Sequence, residues 1–214
     1  MSAYLGKIHH WLFNKIKYAE DIEKKIEKLA SDHGIAEASE WKTEIQGEFG
    51  GVTGDEPLER IIDTSNIHGW LQNKIIGVES RQAAWITRLL STNNSYMDAL
   101  IRIFSEDGRS KGSEAVENYN IEKAGDIYRV LNDYILEGMP CDSVDKVVEN
   151  REELFKWIST RCLHRTNWDA AGGDIKVFYE LRRVWISNFV KALGTEFKYD
   201  TEYDGEMRIN TISI

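Results

Sequence analysis

One nine-residue segment occurs twice in this chain, as IHHWLFNKI at 8–16 and as IHGWLQNKI at 67–75, 59 positions apart and identical at seven of nine places. Glu20 and Glu79 extend the match downstream. Two copies do not make a short-period solenoid. They predict two equivalent helices related by approximate two-fold symmetry. On a helix, His9, Phe13, Ile16 and Glu20 share one stripe, because eleven residues make about three turns. His68, Gln72, Ile75 and Glu79 share the equivalent stripe of the second copy. Helices packed through these faces would bring two imidazoles toward one site inside a bundle, which is how bundles build metal and cofactor sites. A core histidine bonded to a carbonyl or carboxylate, with Trp11 and Trp70 as packing anchors, is the structural alternative.

The rest of the chain reads as a framework for these helices. Leu5, Ile8, Leu12, Ile16, Ala19, Ile22, Ile26 and Leu29 step by three or four over residues 4–31, and Asp32-His33-Gly34 supplies a stop. A short helix is expected at 36–46, then a loop over 47–57 with four glycines and a proline. Helical pattern resumes to about Leu90. A short helix at 95–105, a mobile loop at EDGRSKGS (106–113), and helices at 114–137, 143–168 and 174–193 follow. The tail alternates around Asp204-Gly205 and predicts a β-hairpin. The expected fold is therefore all-α: a single up-down helical bundle of five to six helices over 1–196, with internal pseudo-symmetry and a small C-terminal β-hairpin, 197–214, appended to the same domain.

Composition narrows the function classes. Only Pro57 and Pro140 interrupt the chain as prolines, which suits long helices. With 27 basic and 36 acidic residues the formal net charge is −9, and no basic cluster stands out, so nucleic acid and anionic membrane surfaces are not expected partners. No apolar run reaches the roughly 18 residues of a membrane span. The N-terminus carries charges and histidines where a signal peptide needs an apolar stretch. The expected compartment is the cytoplasm, where Cys141 and Cys162 remain thiols. Cys141, expected just before a helix start, is the better thiolate candidate. Cys162 reads as core.

His164, in the segment RCLHRTNW, lies on a stripe with Trp157 and Arg161 and completes a trio with His9 and His68. Three neutral imidazoles with open positions suit Zn²⁺, Ni²⁺ or Fe²⁺, with Glu20 and Glu79 as acidic partners. A haem held axially by the two repeated histidines is a variant. His10 and His33 read as surface or helix-end residues. No CxxC, HExxH, P-loop or GxGxxG motif is present.

In its size and in the distribution of His9, His68 and His164 over separate helices, the chain resembles the DinB/YfiT-like superfamily. The resemblance implies a three-histidine metal site in a helical bundle and thiol-dependent transferase or hydrolase chemistry. The closely spaced HxxxH pair of that family has no counterpart here. The functional expectation is a metal- or cofactor-binding bundle. The alternative is a non-catalytic interaction or regulatory protein, a possible homodimer, in which the histidines are structural and Tyr199 and Tyr203 of the hairpin meet the partner.

Overall fold

A computed structural model describes residues 5–204 and 207–214. These form eight α-helices and four strands in the order α1 (Lys7–Asp32), α2 (Ala38–Phe49), α3 (Leu58–Ile61), α4 (Ile67–Thr92), α5 (Tyr96–Asn118), α6 (Ala124–Tyr134), β1 (Asp145–Asn150), β2 (Leu154–Ser159), α7 (Arg165–Ala170), α8 (Ile175–Ala192), β3 (Lys198–Asp204) and β4 (Met207–Ser213). The expectation of five to six helices with only a terminal hairpin is thereby corrected. The helical framework stands, but it carries eight helices and a four-stranded antiparallel sheet. The chain divides into two compact units. The first comprises residues 1–97, 135–139 and 164–174, and the second 98–134, 140–163 and 175–214.

In the first unit the repeated segments head two helices of equal length, 26 residues each. They run parallel. Near their starts the His9 ring faces the His68 ring. Further along, Gln82 donates to the Ala19 carbonyl at 2.6 Å and Arg81 reaches Glu20 and Glu23. The repeat offset of 59 is therefore also the packing register, and α1 and α4 lie side by side. Parallel neighbours need a connection that returns the chain to the starting end. Here α2 supplies it, antiparallel to α4. Glu44 of α2 meets Arg88 at 2.6 Å, and the Phe49 carbonyl lies where a Cβ on Gly77 would approach it to 2.9 Å. Trp41 sits edge-on to Trp85, and Lys42 pairs with Glu27 of α1. The seam core is Leu12, Phe13, Ile16, Leu71, Ile75 and Val78, closed by Leu58, Ile62, Leu136 and Met139. Gly34, at φ 68°, ends α1 where the sequence places its stop.

The second unit overturns two local expectations. The EDGRSKGS stretch is not a loop but the middle of α5. Its glycines are spaced by four, and a Cβ at Gly108 or Gly112 would collide with the carbonyl of Trp185 or Phe189 on α8. Trp185 also donates its indole N–H to buried Asp107 at 2.7 Å. Glycine here permits close helix approach rather than ending a helix. Gly108→Ala is accordingly expected to destabilise by about 1–3 kcal/mol through overpacking, although helix propensity alone favours alanine by about 1 kcal/mol. Urea unfolding reads the sign directly.

The helix expected over 143–168 is instead the β1–β2 hairpin followed by the short α7. In β2 the buried residues are Phe155, Trp157 and Ser159, a period of two, which is the spacing of a half-buried strand. The sheet order is β1-β2-β4-β3, all antiparallel, so the expected C-terminal hairpin forms but joins a larger sheet. The Asp204-Gly205 turn itself lies partly outside the described residues. Tyr128 of α6 stacks on Phe155 at 4.5 Å and tilts against Trp157 at 4.8 Å. The β1 edge exposes Val147 and Val148, and a bulge between Val147 and Glu149 breaks the register there. Bulges of this kind blunt an edge against further pairing. At the other edge Tyr199 donates to Asn210 at 2.8 Å and is half-buried, whereas Tyr203 is exposed.

Candidate functional site

The duplicated residues divide into those that build the seam twice and those whose two copies have diverged. Leu12 with Leu71, and Ile16 with Ile75, are buried in both helices, and Asn14 and Asn73 are exposed in both. Each copy also sets a lysine over the tryptophan one turn before it. The Lys15 ammonium lies 3.9 Å from the Trp11 ring centre and that of Lys74 lies 5.4 Å from Trp70, cation–π pairs at i,i+4. Burial pushes the Lys74 ammonium below the usual lysine range, against the opposing pull of Glu20.

His9 and His68 come together as the repeat predicts. Their ring centres are 6.1 Å apart and the planes are inclined by 54°. The pair stands at the starting ends of the two helices rather than within the core, with His9 half-buried and His68 exposed. The two copies differ in how they close the helix start. The His9 amide donates to the Gly6 carbonyl at 3.0 Å, and the Gly6 amide donates back to His9 Nδ1 at 2.9 Å. The imidazole thus takes the place of the glutamate in a capping box. In α4 the cap is Asn66, whose side chain accepts from the Gly69 amide at 3.1 Å, and His68 takes no part in it.

The glutamates have diverged completely. Glu20 accepts the Thr53 amide at 2.8 Å, the Thr53 hydroxyl, and Arg81 Nη2 at 3.2 Å. Arg81, 1% exposed, also holds both oxygens of Glu23 through Nε at 2.8 and 3.0 Å and donates to the Gly50 carbonyl at 3.0 Å. A buried guanidinium between two buried carboxylates therefore clasps the glycine-rich loop onto the α1–α4 seam. Burial raises the Glu23 carboxyl above the usual range, and the Arg81 hydrogen bond and charge pull it partly back. Sequence reasoning missed Arg81. The signal was present, because Arg81 aligns with Ile22, and a charged residue opposite an apolar one marks where the copies ceased to be equivalent.

Glu79 faces His164 instead. His164 Nδ1 lies 3.0 Å from Glu79 Oε1, and Nε2 lies 3.2 Å from Glu137 Oε1. Asn167 donates to the second Glu79 oxygen at 2.7 Å. The histidine is 0% exposed. Burial alone would push its pKa down, but the two carboxylates outweigh it and lift the value to about 9. Near neutral pH it is an imidazolium donating from both nitrogens, which fastens the 135–139 segment and the start of α7 to α4. The two nitrogens point to opposite edges of the ring, so Glu79 and Glu137 lie on opposite sides of it.

His164 is therefore occupied in a way that neither the trio nor the resemblance implies, and Glu20 and Glu79 are engaged with Arg81 and His164 rather than with His9 and His68. Among the described residues no group of three His, Cys, Asp or Glu side chains is arranged to hold a metal ion. His10 lies 3.5 Å from Glu59, and the His33 ring meets Tyr96 edge-on. Cys141 is exposed in a single 3-10 turn (Pro140–Asp142) that leads to a strand, so the helix start expected to acidify its thiol is absent. Cys162 is half-buried. Among the described residues no helix is long and apolar enough to cross a membrane. No protein-family model, curated protein or solved structure matches this chain.

Proposed function

We propose that this protein binds a divalent transition metal through the facing imidazoles of His9 and His68. The observation that carries the reading is the pairing itself: two rings from a duplicated segment, on parallel helices packed in the repeat's own register, with centres 6.1 Å apart. A metal bonds an imidazole nitrogen at about 2 Å, which puts it roughly 3 Å from each ring centre. The separation suits one ion between the two rings. The partial exposure of both histidines gives an ion access from solvent. Neutral imidazoles favour Zn²⁺ or Ni²⁺, with Fe²⁺ as the weaker competitor in the divalent series. Water would fill the remaining positions, since His164 is engaged by Glu79 and Glu137. The structural alternative describes His164, which is fully buried and satisfied on both sides.

Equilibrium dialysis of tag-free protein against Zn²⁺ and Ni²⁺, with elemental analysis, tests the reading. One equivalent is expected, and His9→Ala or His68→Ala should weaken it by about tenfold or more, since each removes one of two imidazole donors. His10→Ala, which removes the neighbouring histidine, should leave uptake unchanged. Equal uptake by the His9→Ala/His68→Ala double variant and the parent would end the proposal.

A further inference from the structure

We infer that the Gly6 amide gates this site by competing with the metal for the His9 imidazole. The inference rests on the His9–His68 reading. It starts from the direction of one hydrogen bond. Gly6 N–H donates to His9 Nδ1 at 2.9 Å, so Nδ1 presents its lone pair to the amide. In the neutral ring the single proton then sits on Nε2. With the cap closed, His9 offers a metal no free lone pair, because one nitrogen is occupied and the other is protonated. A metal can take Nδ1 only by displacing the amide. It can take Nε2 only if the proton moves to Nδ1, which would set one donor against another. Both routes break the Gly6–His9 bond.

Metal binding and the closed cap of α1 are thus mutually exclusive, and the coupling is reciprocal. Metal at the pair opens the reciprocal Gly6–His9 cap. Anything that removes the amide donor strengthens metal binding. The two halves of the repeat then have distinct parts. His68, whose helix is capped by Asn66 through the Gly69 amide, is the standing ligand. His9 is the conditional one.

The test uses the full chain with Zn²⁺ as the probe. Gly6→Pro deletes the N–H donor at a residue whose φ of −89° lies near the range proline prefers. Gly6→Ala keeps the donor, and its Cβ would sit 3.9 Å from His9 Nδ1, an ordinary contact. The expected result is that Gly6→Pro binds Zn²⁺ roughly three- to tenfold more tightly than the parent, the range corresponding to loss of one cap bond, and that Gly6→Ala matches the parent. Hydrogen exchange at the Gly6 amide of the unmodified protein gives a second reading that needs no variant, and it should accelerate on Zn²⁺ saturation. If the parent binds Zn²⁺ while its Gly6 amide stays protected, or if Gly6→Pro and parent bind equally, the gate is overturned and the metal site stands. If none of the three proteins binds Zn²⁺, the metal reading fails and the gate with it.

Discussion

Replacing His164 by alanine is expected to destabilise the first unit by roughly 3–5 kcal/mol near neutral pH, the range for removing one partner of a buried charge cluster. The substitution removes an imidazolium whose two nitrogens serve Glu79 and Glu137, and leaves those carboxylates facing a cavity. The effect has a pH signature that a simple packing loss lacks. The folded-state value, about 9, lies above the usual 6.5. A raised value means that the folded state holds the proton more tightly than the unfolded chain does. The associated stability is complete below about pH 6.5 and is lost as pH rises through 9. Its size is roughly 3 kcal/mol, an order-of-magnitude figure for that difference. Chemical unfolding of the parent should therefore show stability falling between pH 6.5 and 9, and His164→Ala should lose that slope. A parent profile that is flat across this window would show that His164 is not held as a cation. Glu137→Gln, which leaves the shape and removes one charge, should give an intermediate slope.

This cluster shows why the site was only partly legible in the sequence. His164 was singled out as one of three ligands, yet its actual partners lie 85 and 27 positions away along the chain. One of them, Glu137, precedes a glycine turn and has no local signal. The duplicated segment was legible because it is redundant: the same apolar and aromatic residues recur at the same spacing, and they build the same seam twice. Its register was legible too, since identical faces pack best when aligned. Its direction was not, because side-chain periodicity is the same for parallel and antiparallel neighbours. What reveals the direction is the returning α2, held by Glu44–Arg88 and by the backbone approach at Gly77.

The second unit was misread for a different reason. Gly108 and Gly112 carry the local chemistry of a loop, but a small-residue face can equally seat a neighbouring helix, and only α8 decides between these. The Leu154–Ser159 segment contains Leu, Phe, Trp and Ile at spacings that serve either period over so short a window. Pairing with β4 across Phe155–Ile212 and Trp157–Asn210 resolves it as strand. Local propensity was overridden by tertiary contacts in both places.

The second large effect is expected at Arg81. Arg81→Leu keeps a side chain of some bulk in the seam but withdraws the guanidinium that Glu20 and Glu23 share, and the loss should reach about 3–5 kcal/mol at pH 7–8. Glu20 retains the Thr53 amide and hydroxyl, so the burden falls on Glu23, which accepts from Arg81 Nε through both of its oxygens. Burial already raises the Glu23 carboxyl above 4.5, and in the variant the two influences that lower it, the Arg81 hydrogen bond and the Arg81 charge, are gone. The direction of the pH effect follows. A carboxyl whose folded value is raised favours the folded state in acid, and that advantage is lost as pH rises through the folded value. The Arg81→Leu deficit should therefore shrink as pH is lowered from 7 into the acid range, because a protonated Glu23 no longer needs the cation. A loss of packing alone would give a deficit independent of pH over the same range. Since Arg81 also holds the Gly50 carbonyl at 3.0 Å, amide exchange over residues 50–54 should accelerate in the variant at neutral pH. If unfolding shows a constant deficit and the loop keeps its protection, then the clasp is carried by Thr53 on Glu20, and the guanidinium contributes no more than its volume.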